Sequence, residues 1–402
     1  MKILVINCGS SSIKYKVYEM PDEKLLVKGL VEKIGEETSY LKHELPHKSF
    51  EDENKIDNHS QALEIICRYL LDEEKGVIER IEEIKGVGHR VVHGGEGFEK
   101  SVVIDEGVLK KIEEYISLAP LHNPHNLAGI RASQKIFPEA VQVAAFDTAF
   151  HATIPPVAYL YGLPYYLYKE YRIRKYGFHG TSHHYVSRRA AEIMGKDKYG
   201  INAITCHLGN GCSITAVKNG HSVDTSMGLT PLEGLIMGTR SGDIDPGIIF
   251  YLADKLGFDL KRINTLLNKE SGFLGISGVS NDFRNLLESA KGGNERATLS
   301  IDMFCYRLRK YIGAYMAVLG SVDAIIFTGG IGENAPLVRE KSLENLDRFG
   351  VILDEDKNKE TVGKEGEISA PDSLIKLFVI PTDEELRIAV DSYLILTKSS
   401  YS

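Results

Sequence analysis

The chain opens on an unbroken apolar run, Ile3-Leu4-Val5-Ile6, that stops at Asn7. The small, polar stretch Cys8-Gly9-Ser10-Ser11-Ser12 follows, and then Ile13, Tyr15 and Val17 alternate with Lys14, Lys16 and Tyr18. An apolar run, a Gly/Ser turn and an alternating run predict a β-hairpin. The turn is too long and too rich in hydroxyls for a two-residue connection. Successive backbone N–H groups with serine hydroxyls can line a concave anion site, although an ordinary solvated hairpin has the same pattern.

A second copy changes the weight of the first. Ala203 to Val217 has the same layout, with His207 where Asn7 stands and Gly209 where Gly9 stands, before an alternating strand from Cys212. A third glycine loop, Gly329-Gly330-Ile331-Gly332-Glu333-Asn334, follows the apolar run Ile325-Ile326-Phe327. Two related hairpins predict a duplicated domain, and three glycine loops predict a nucleotide between the halves.

Between these landmarks the period alternates. Leu25 to Leu41 reads as further strands with a polar edge near His43 to His59, and Gln61 to Leu71 has helical periodicity. Ile84 to Gly95 is a strand closing in Gly-Gly, Val102 to Ile116 a helix, Ala119 to Asn126 a polar loop, and Leu127 to Ile136 a helix again. The strand from Gln142 presents Asp147 at its end. This alternation predicts an α/β sheet. Ile154-Pro155-Pro156 breaks it and marks the expected boundary between a first domain, 1–153, and a second, 154–384. In the second, a helix is expected from Tyr185, a long Gly-rich loop from Asp224 to Gly247 carrying Arg240, and an amphipathic helix from Ala297 to Leu319. A last helix from Glu385 would return residues 385–402 to the first domain.

Composition narrows the function. At 402 residues the chain fits two domains. A net charge of −8 argues against a general nucleic-acid binder but not against a local basic pocket. No apolar run reaches membrane-spanning length, and the start reads as a core strand rather than a signal peptide. Five cysteines, with no CxxC pair, read as free thiols in a reducing cytoplasm. Cys8 and Cys212 lie inside the glycine loops and read as small buried residues, with redox regulation as the rival reading.

Phe327 to Asn334, Asn7 to Ser12 and His207 to Gly211 together resemble the acetate kinase family, of the actin, sugar-kinase and Hsp70 ATPase superfamily. The blocks Gly88 to Gly95, Phe146 to His151, Tyr176 to His183 and Met237 to Asp243 match as well, in the family's order. The resemblance implies two duplicated actin/Hsp70/sugar-kinase-like (ribonuclease H-like) α/β domains with an interdomain nucleotide cleft. It implies direct in-line, reversible phosphoryl transfer from ATP to acetate, giving acetyl phosphate and ADP. Propionate or another short-chain acid is the rival acceptor. A non-metabolic ATPase of the superfamily and a catalytically dead binding protein are the rivals from other classes.

The resemblance also implies roles. Arg90 and Arg240 would bind carboxylate and phosphoryl oxygens as rigid forks. His179, and more weakly His122, would stabilise charge on the transferring group. Asp147 would orient a metal-bound water or the substrate, because acetate is already ionised at neutral pH and needs no base. Asn7 and Glu384 would serve Mg²⁺, or Mn²⁺ in its place; a first-turn acid complementing the helix dipole is the rival reading of Glu384. Lys14 and His207-Leu208-Gly209-Asn210-Gly211 would hold the ATP phosphates. Asp282-Phe283-Arg284 and Gly330-Ile331-Gly332-Glu333-Asn334 would hold the adenosine end. Val92, Leu121 and Pro231 would pocket the acetate methyl. The family further implies a homodimer, with which the amphipathic helix from Ala297 to Leu319 is compatible, and no membrane or nucleic-acid partner.

Overall fold

A computed structural model describes residues 1–120 and 122–398. The chain divides into two compact units, Met1–Ala152 with the chain from Asp383 onward, and Thr153–Thr382.

The first unit is built on eight strands: β1 Lys2–Cys8, β2 Ser12–Glu19, β3 Lys24–Glu32, β4 Ser39–Leu45, β5 Lys48–Asn54, β6 Ile84–Val91, β7 Val102–Val103 and β8 Val141–Phe146. Their order is β5-β4-β3-β2-β1-β6-β8-β7. The meander β5 to β1 is antiparallel, while β6 and β8 run parallel to β1. Side chains of a strand alternate between faces, so the apolar opening run serves two cores. Leu4 and Ile6 pack with Tyr15, Val17, Leu63 and Ile66 on one face. Ile3 and Val5 pack with Tyr18, Ile388 and Ala389 on the other, where the last helix, Glu384–Thr397, lies.

The second unit holds β9 Ala203–Leu208, β10 Cys212–Lys218, β11 His221–Thr225, β12 Ala324–Thr328, β13 Gly366–Glu367 and β14 Lys376–Val379, in the order β11-β10-β9-β12-β14-β13. Strands β11, β10 and β9 are antiparallel, and β12 and β14 run parallel to β9. The five strands β11-β10-β9-β12-β14 therefore repeat the order and directions of β3-β2-β1-β6-β8. The helix Glu295–Leu319 packs Phe304, Leu308 and Ile312 into this unit's interior.

Several local expectations change. Val102 to Ile116 is not one helix: Val102–Val103 pairs with β8, and the helix starts at Glu106, capped by the Asp105 side chain on the Val108 N–H. His43 is not on a polar edge but fully buried, with Nδ1 2.5 Å from the Tyr15 hydroxyl and Nε2 2.9 Å from the Lys75 carbonyl. The third glycine segment is a short helix, Gly329–Asn334, rather than a loop. The helix expected from Tyr185 begins at Gly180.

Candidate functional site

In the first unit the parallel strands deliver their polar residues to one end of the sheet. Asn7 lies one residue before the end of β1, opposite the exposed Lys14 of β2, and the Gly9 N–H to Ser12 carbonyl bond of 2.8 Å shuts the turn. Arg90 lies one residue before the end of β6, and Asp147 follows the last residue of β8, its N–H on the Val91 carbonyl at 3.0 Å. Crevices at the carboxyl ends of parallel strands are the usual ligand sites of such sheets.

Arg90 and Asp147 meet there. Arg90 Nε donates to Asp147 Oδ1 at 3.0 Å and Nη2 pairs with Oδ2, while Nη1 reaches Asn7 Oδ1 at 3.4 Å. Asp147 is 1% exposed. Burial opposes the Arg90 charge, but Asp147 and Glu384 outweigh it and push its pKa up. Glu384 starts the returning helix. Burial, with the like charge of Asp147 and against the pull of Arg90, raises its carboxyl to about 7. Its Oε1 is sealed from solvent and has no hydrogen-bond partner among the described residues.

The segment after β6 is pinned by two asparagines in the first turn of the helix Asn123–Ile136, which starts four residues before the expected Leu127 and so takes up the end of the expected polar loop. Asn126 Oδ1 accepts from the Val92 N–H at 3.1 Å and its Nδ2 donates to the Cys8 carbonyl at 2.9 Å. Asn123 holds the backbone N–H and carbonyl of His93, at 3.2 and 3.1 Å. Val92 is half-buried and His122 exposed. Leu121 lies outside the described residues.

In the second unit the hairpin β9–β10 turns through Gly209 to Gly211, with the Gly209 N–H on the Gly211 carbonyl at 3.0 Å. The imidazoles of His179 and His207 stack at 4.2 Å. His179 sits in left-handed backbone at φ +57°, a conformation that costs a non-glycine residue and clusters at functional sites. Its Nδ1 lies 2.9 Å from Ser213 Oγ, which is 2.7 Å from His183 Nε2; Ser182 Oγ is 2.8 Å from His207 Nδ1.

The long loop after β11 folds back onto this hairpin. The Gly238 N–H donates to the Asn210 carbonyl at 3.0 Å, and a Cβ on Gly238 would stand 1.9 Å from Asn210 Oδ1. Arg240 is thereby laid beside Gly211. A Cβ at Gly211 would lie 3.2 Å from Arg240 Nη2 and 3.3 Å from His179 Cε1, so arginine and histidine converge over bare backbone. Arg240 Nη1 donates to the Pro231 carbonyl at 2.5 Å. Burial lowers its pKa, and no carboxylate among the described residues pairs with it.

Strand β12 runs parallel to β9 with Thr328 opposite His207, so the helix Gly329–Asn334 starts at the same sheet end. The Glu333 side chain does not point outward. Its Oε1 accepts from the N–H groups of Gly329 and Thr382, at 2.8 and 3.2 Å. The fully buried Arg339 holds the carbonyls of Gly332 and Glu333 at 2.8 and 3.1 Å. Asp282 caps the helix Phe283–Lys291, and Arg284, bonded to the same carboxylate, holds its pKa down to about 2. The Arg284 side chain is 85% exposed. Asn281 Nδ2 reaches Asn210 Oδ1 at 3.3 Å.

Sequence reasoning missed Asn123, Asn126, Ser213 and Arg339. The first two stood in a polar loop already singled out, and Ser213 in a hairpin already aligned; Arg339 carried no signal. The thiols of Cys8 and Cys212 are buried and pushed up to about 12, which is the state of inert core cysteines.

A family model described as the acetokinase family matches residues 2–390. The chain is 54% identical over 393 residues to an acetate kinase of Carboxydothermus hydrogenoformans, covering 98% of each chain. It is 55% identical over 394 residues to an acetate kinase of Halothermothrix orenii, with the same coverage. The solved structure of Porphyromonas gingivalis acetate kinase superposes with a TM-score of 0.95 at 50% identity, covering 98% of this chain and 99% of that one. A propionate kinase structure from Francisella tularensis superposes at 0.91 and 45% identity, with the same coverage.

Proposed function

The chain belongs to the acetokinase family, and from that membership we propose which of its residues act as it moves a phosphoryl group between ATP and acetate. The observation that carries the reading is the Arg240 guanidinium, half-buried, with no carboxylate paired to it among the described residues, and set beside His179 over Gly211.

Phosphoryl transfer asks the protein for alignment and charge neutralisation more than for covalent chemistry. Arg240 binds the oxygens of the transferring group and His179 donates to them as charge develops. Arg90 binds acetate. Both Asp147 oxygens are engaged by Arg90, so Asp147 holds the guanidinium in register and abstracts no proton. Acetate, ionised at neutral pH, attacks the phosphorus and the bond to the ADP oxygen breaks; no proton need move. Lys14 and His207 to Gly211 hold the ATP phosphates. Asp282 to Arg284 and the helix Gly329–Asn334 take the adenosine end, chiefly through backbone, because the Glu333 and Asp282 carboxylates are already committed.

Asn7 and Glu384 fit a divalent cation. A hard ion such as Mg²⁺, or Mn²⁺ in its place, takes one or two protein oxygens plus phosphate oxygens, and Glu384 offers a sealed oxygen with no partner among the described residues. When bound, the ion supplies neutralisation of phosphate charge.

One extra methylene on the acid is worth only about 1–3 kcal/mol in an apolar pocket sized for a methyl group. Propionate is thus a poorer acceptor rather than an excluded one. Side-by-side kcat/KM values for acetate and propionate test this, and a clear preference for propionate overturns it. The protein works as a homodimer: the helix Gly247–Leu256 is strongly apolar yet buries none of its residues within the chain, and large unpartnered apolar patches mark interfaces. It works in the cytoplasm, a reading that the free, buried cysteines support. Among the described residues no helix is long and apolar enough to cross a membrane.

A further inference from the structure

The returning helix begins with three acids in a row, Asp383, Glu384 and Glu385, and two of them are held. Asp383 caps the helix, its Oδ1 accepting from the Leu386 N–H at 2.9 Å. The same oxygen takes Lys16 Nζ at 2.9 Å. The Tyr18 hydroxyl lies 3.0 and 3.2 Å from the two Asp383 oxygens. Lys16 Nζ also pairs with Glu385 Oε2 at 3.2 Å.

Lys16 and Tyr18 are two apart on β2, so they share the sheet face on which the helix lies. Val5 and Ile3 are their cross-strand neighbours. The middle acid alone is left unclaimed, with Oε1 sealed and unpartnered among the described residues. Three adjacent carboxylates repel one another, and one lysine shared by the outer two removes that repulsion. A helix cap needs only the carboxylate of Asp383. The lysine and the phenol, both reaching from the strand, do something a cap does not require: they fix the azimuth of the first turn.

We propose that Lys16 and Tyr18 are positioning residues for Glu384, fixing Asp383 and neutralising its flanking acids so that the Glu384 carboxylate is presented beside Arg90 and Asp147. The inference rests on the reading of Glu384 as a metal ligand. Groups that orient a ligating side chain typically change metal affinity by 10–100-fold when removed.

The test is Mn²⁺ binding in the presence of ADP, followed by electron paramagnetic resonance on the full chain, with metal-free ADP affinity measured alongside. Lys16→Met is expected to weaken Mn²⁺ binding by about tenfold and Tyr18→Phe by about threefold, while Lys16→Arg keeps most of it. Metal-free ADP affinity stays unchanged in all three. Tyr18→Phe removes one hydroxyl and keeps the strand intact, so it answers the question even if Lys16→Met folds poorly. Glu384→Gln separates the two claims. If it loses Mn²⁺ while Lys16→Met and Tyr18→Phe bind as the wild type does, the positioning role is overturned and the metal reading stands. If Glu384→Gln itself binds Mn²⁺ normally, both fall.

Discussion

Arg90 and Asp147 leave the ends of neighbouring parallel strands and meet in a two-point ion pair, Nε 3.0 Å from Oδ1 and Nη2 against Oδ2, with Asp147 1% exposed. Breaking such a pair from one side strands a buried charge. Arg90→Ala is expected to cost about 3–5 kcal/mol of stability and about 10²–10³ in kcat. The double variant Arg90→Met, Asp147→Leu should recover much of the stability and none of the activity. Chemical denaturation and steady-state rates on the three proteins check this.

Gly211 is a tolerance problem of tenths of an ångström. A Cβ there would press on Arg240 Nη2 at 3.2 Å and His179 Cε1 at 3.3 Å. Both must yield slightly, and misplacement of reacting groups by about 1 Å can cost 10²-fold. Gly211→Ala should therefore lower kcat by roughly tenfold with the fold intact. Gly238→Ala, at 1.9 Å from Asn210 Oδ1, must displace the loop itself and should be far worse. Thermal melts alongside kcat separate the two.

His89 makes stability depend on pH. Its Nε2 faces Gln142 Oε1 at 2.7 Å, and burial lowers its pKa to about 4 from an ordinary 6.5. Between those values the unfolded chain binds a proton that the folded chain refuses. Stability is therefore fully present above 6.5 and lost as pH falls toward 4, by about 3 kcal/mol for this one group. His93, lowered to about 4 by burial as well, adds a second share. Urea unfolding from about pH 4 to above 6.5 should show the slope, and His89→Gln should reduce it without abolishing it.

The apolar helix Gly247–Leu256 carries the association prediction. Phe250 is 69% exposed, Tyr251 62% and Leu256 57%. Phe250→Glu is expected to convert a dimer into a monomer in sedimentation equilibrium.

How much of this was legible beforehand follows from the range of the interactions. The two hairpins and their glycine turns are local, and the sequence carried them to within a residue or two. The opposition of Arg90 and Asp147 was legible only as two separate residues, one in a strand and one at a strand's end, because the register of β6 on β8 joins positions 57 apart. His43 looked polar and exposed; a partner 28 residues away, Tyr15, buries it. Residues 329 to 334 read as a loop, yet Glu333 and Arg339 satisfy the ends of a short helix there. The amphipathic helix read as compatible with a dimer, Glu295–Leu319, buries Phe304, Leu308 and Ile312 in its own unit and leaves Leu299, Met303, Tyr306 and Val318 exposed. Gly247–Leu256, which carried no separate signal, buries none of its residues and exposes Phe250 and Tyr251.

The central claim is that Arg240, beside His179 and with no carboxylate paired to it among the described residues, serves transfer of a phosphoryl group to a carboxylate. The most direct measurement is ATP-dependent acyl phosphate formation, trapped with hydroxylamine, by the wild type and Arg240→Ala. The account predicts acetohydroxamate from the wild type and a loss of at least about 10² in the variant. Wild-type protein that yields no hydroxamate with any short acid, or an Arg240→Ala variant as fast as the wild type, would contradict it.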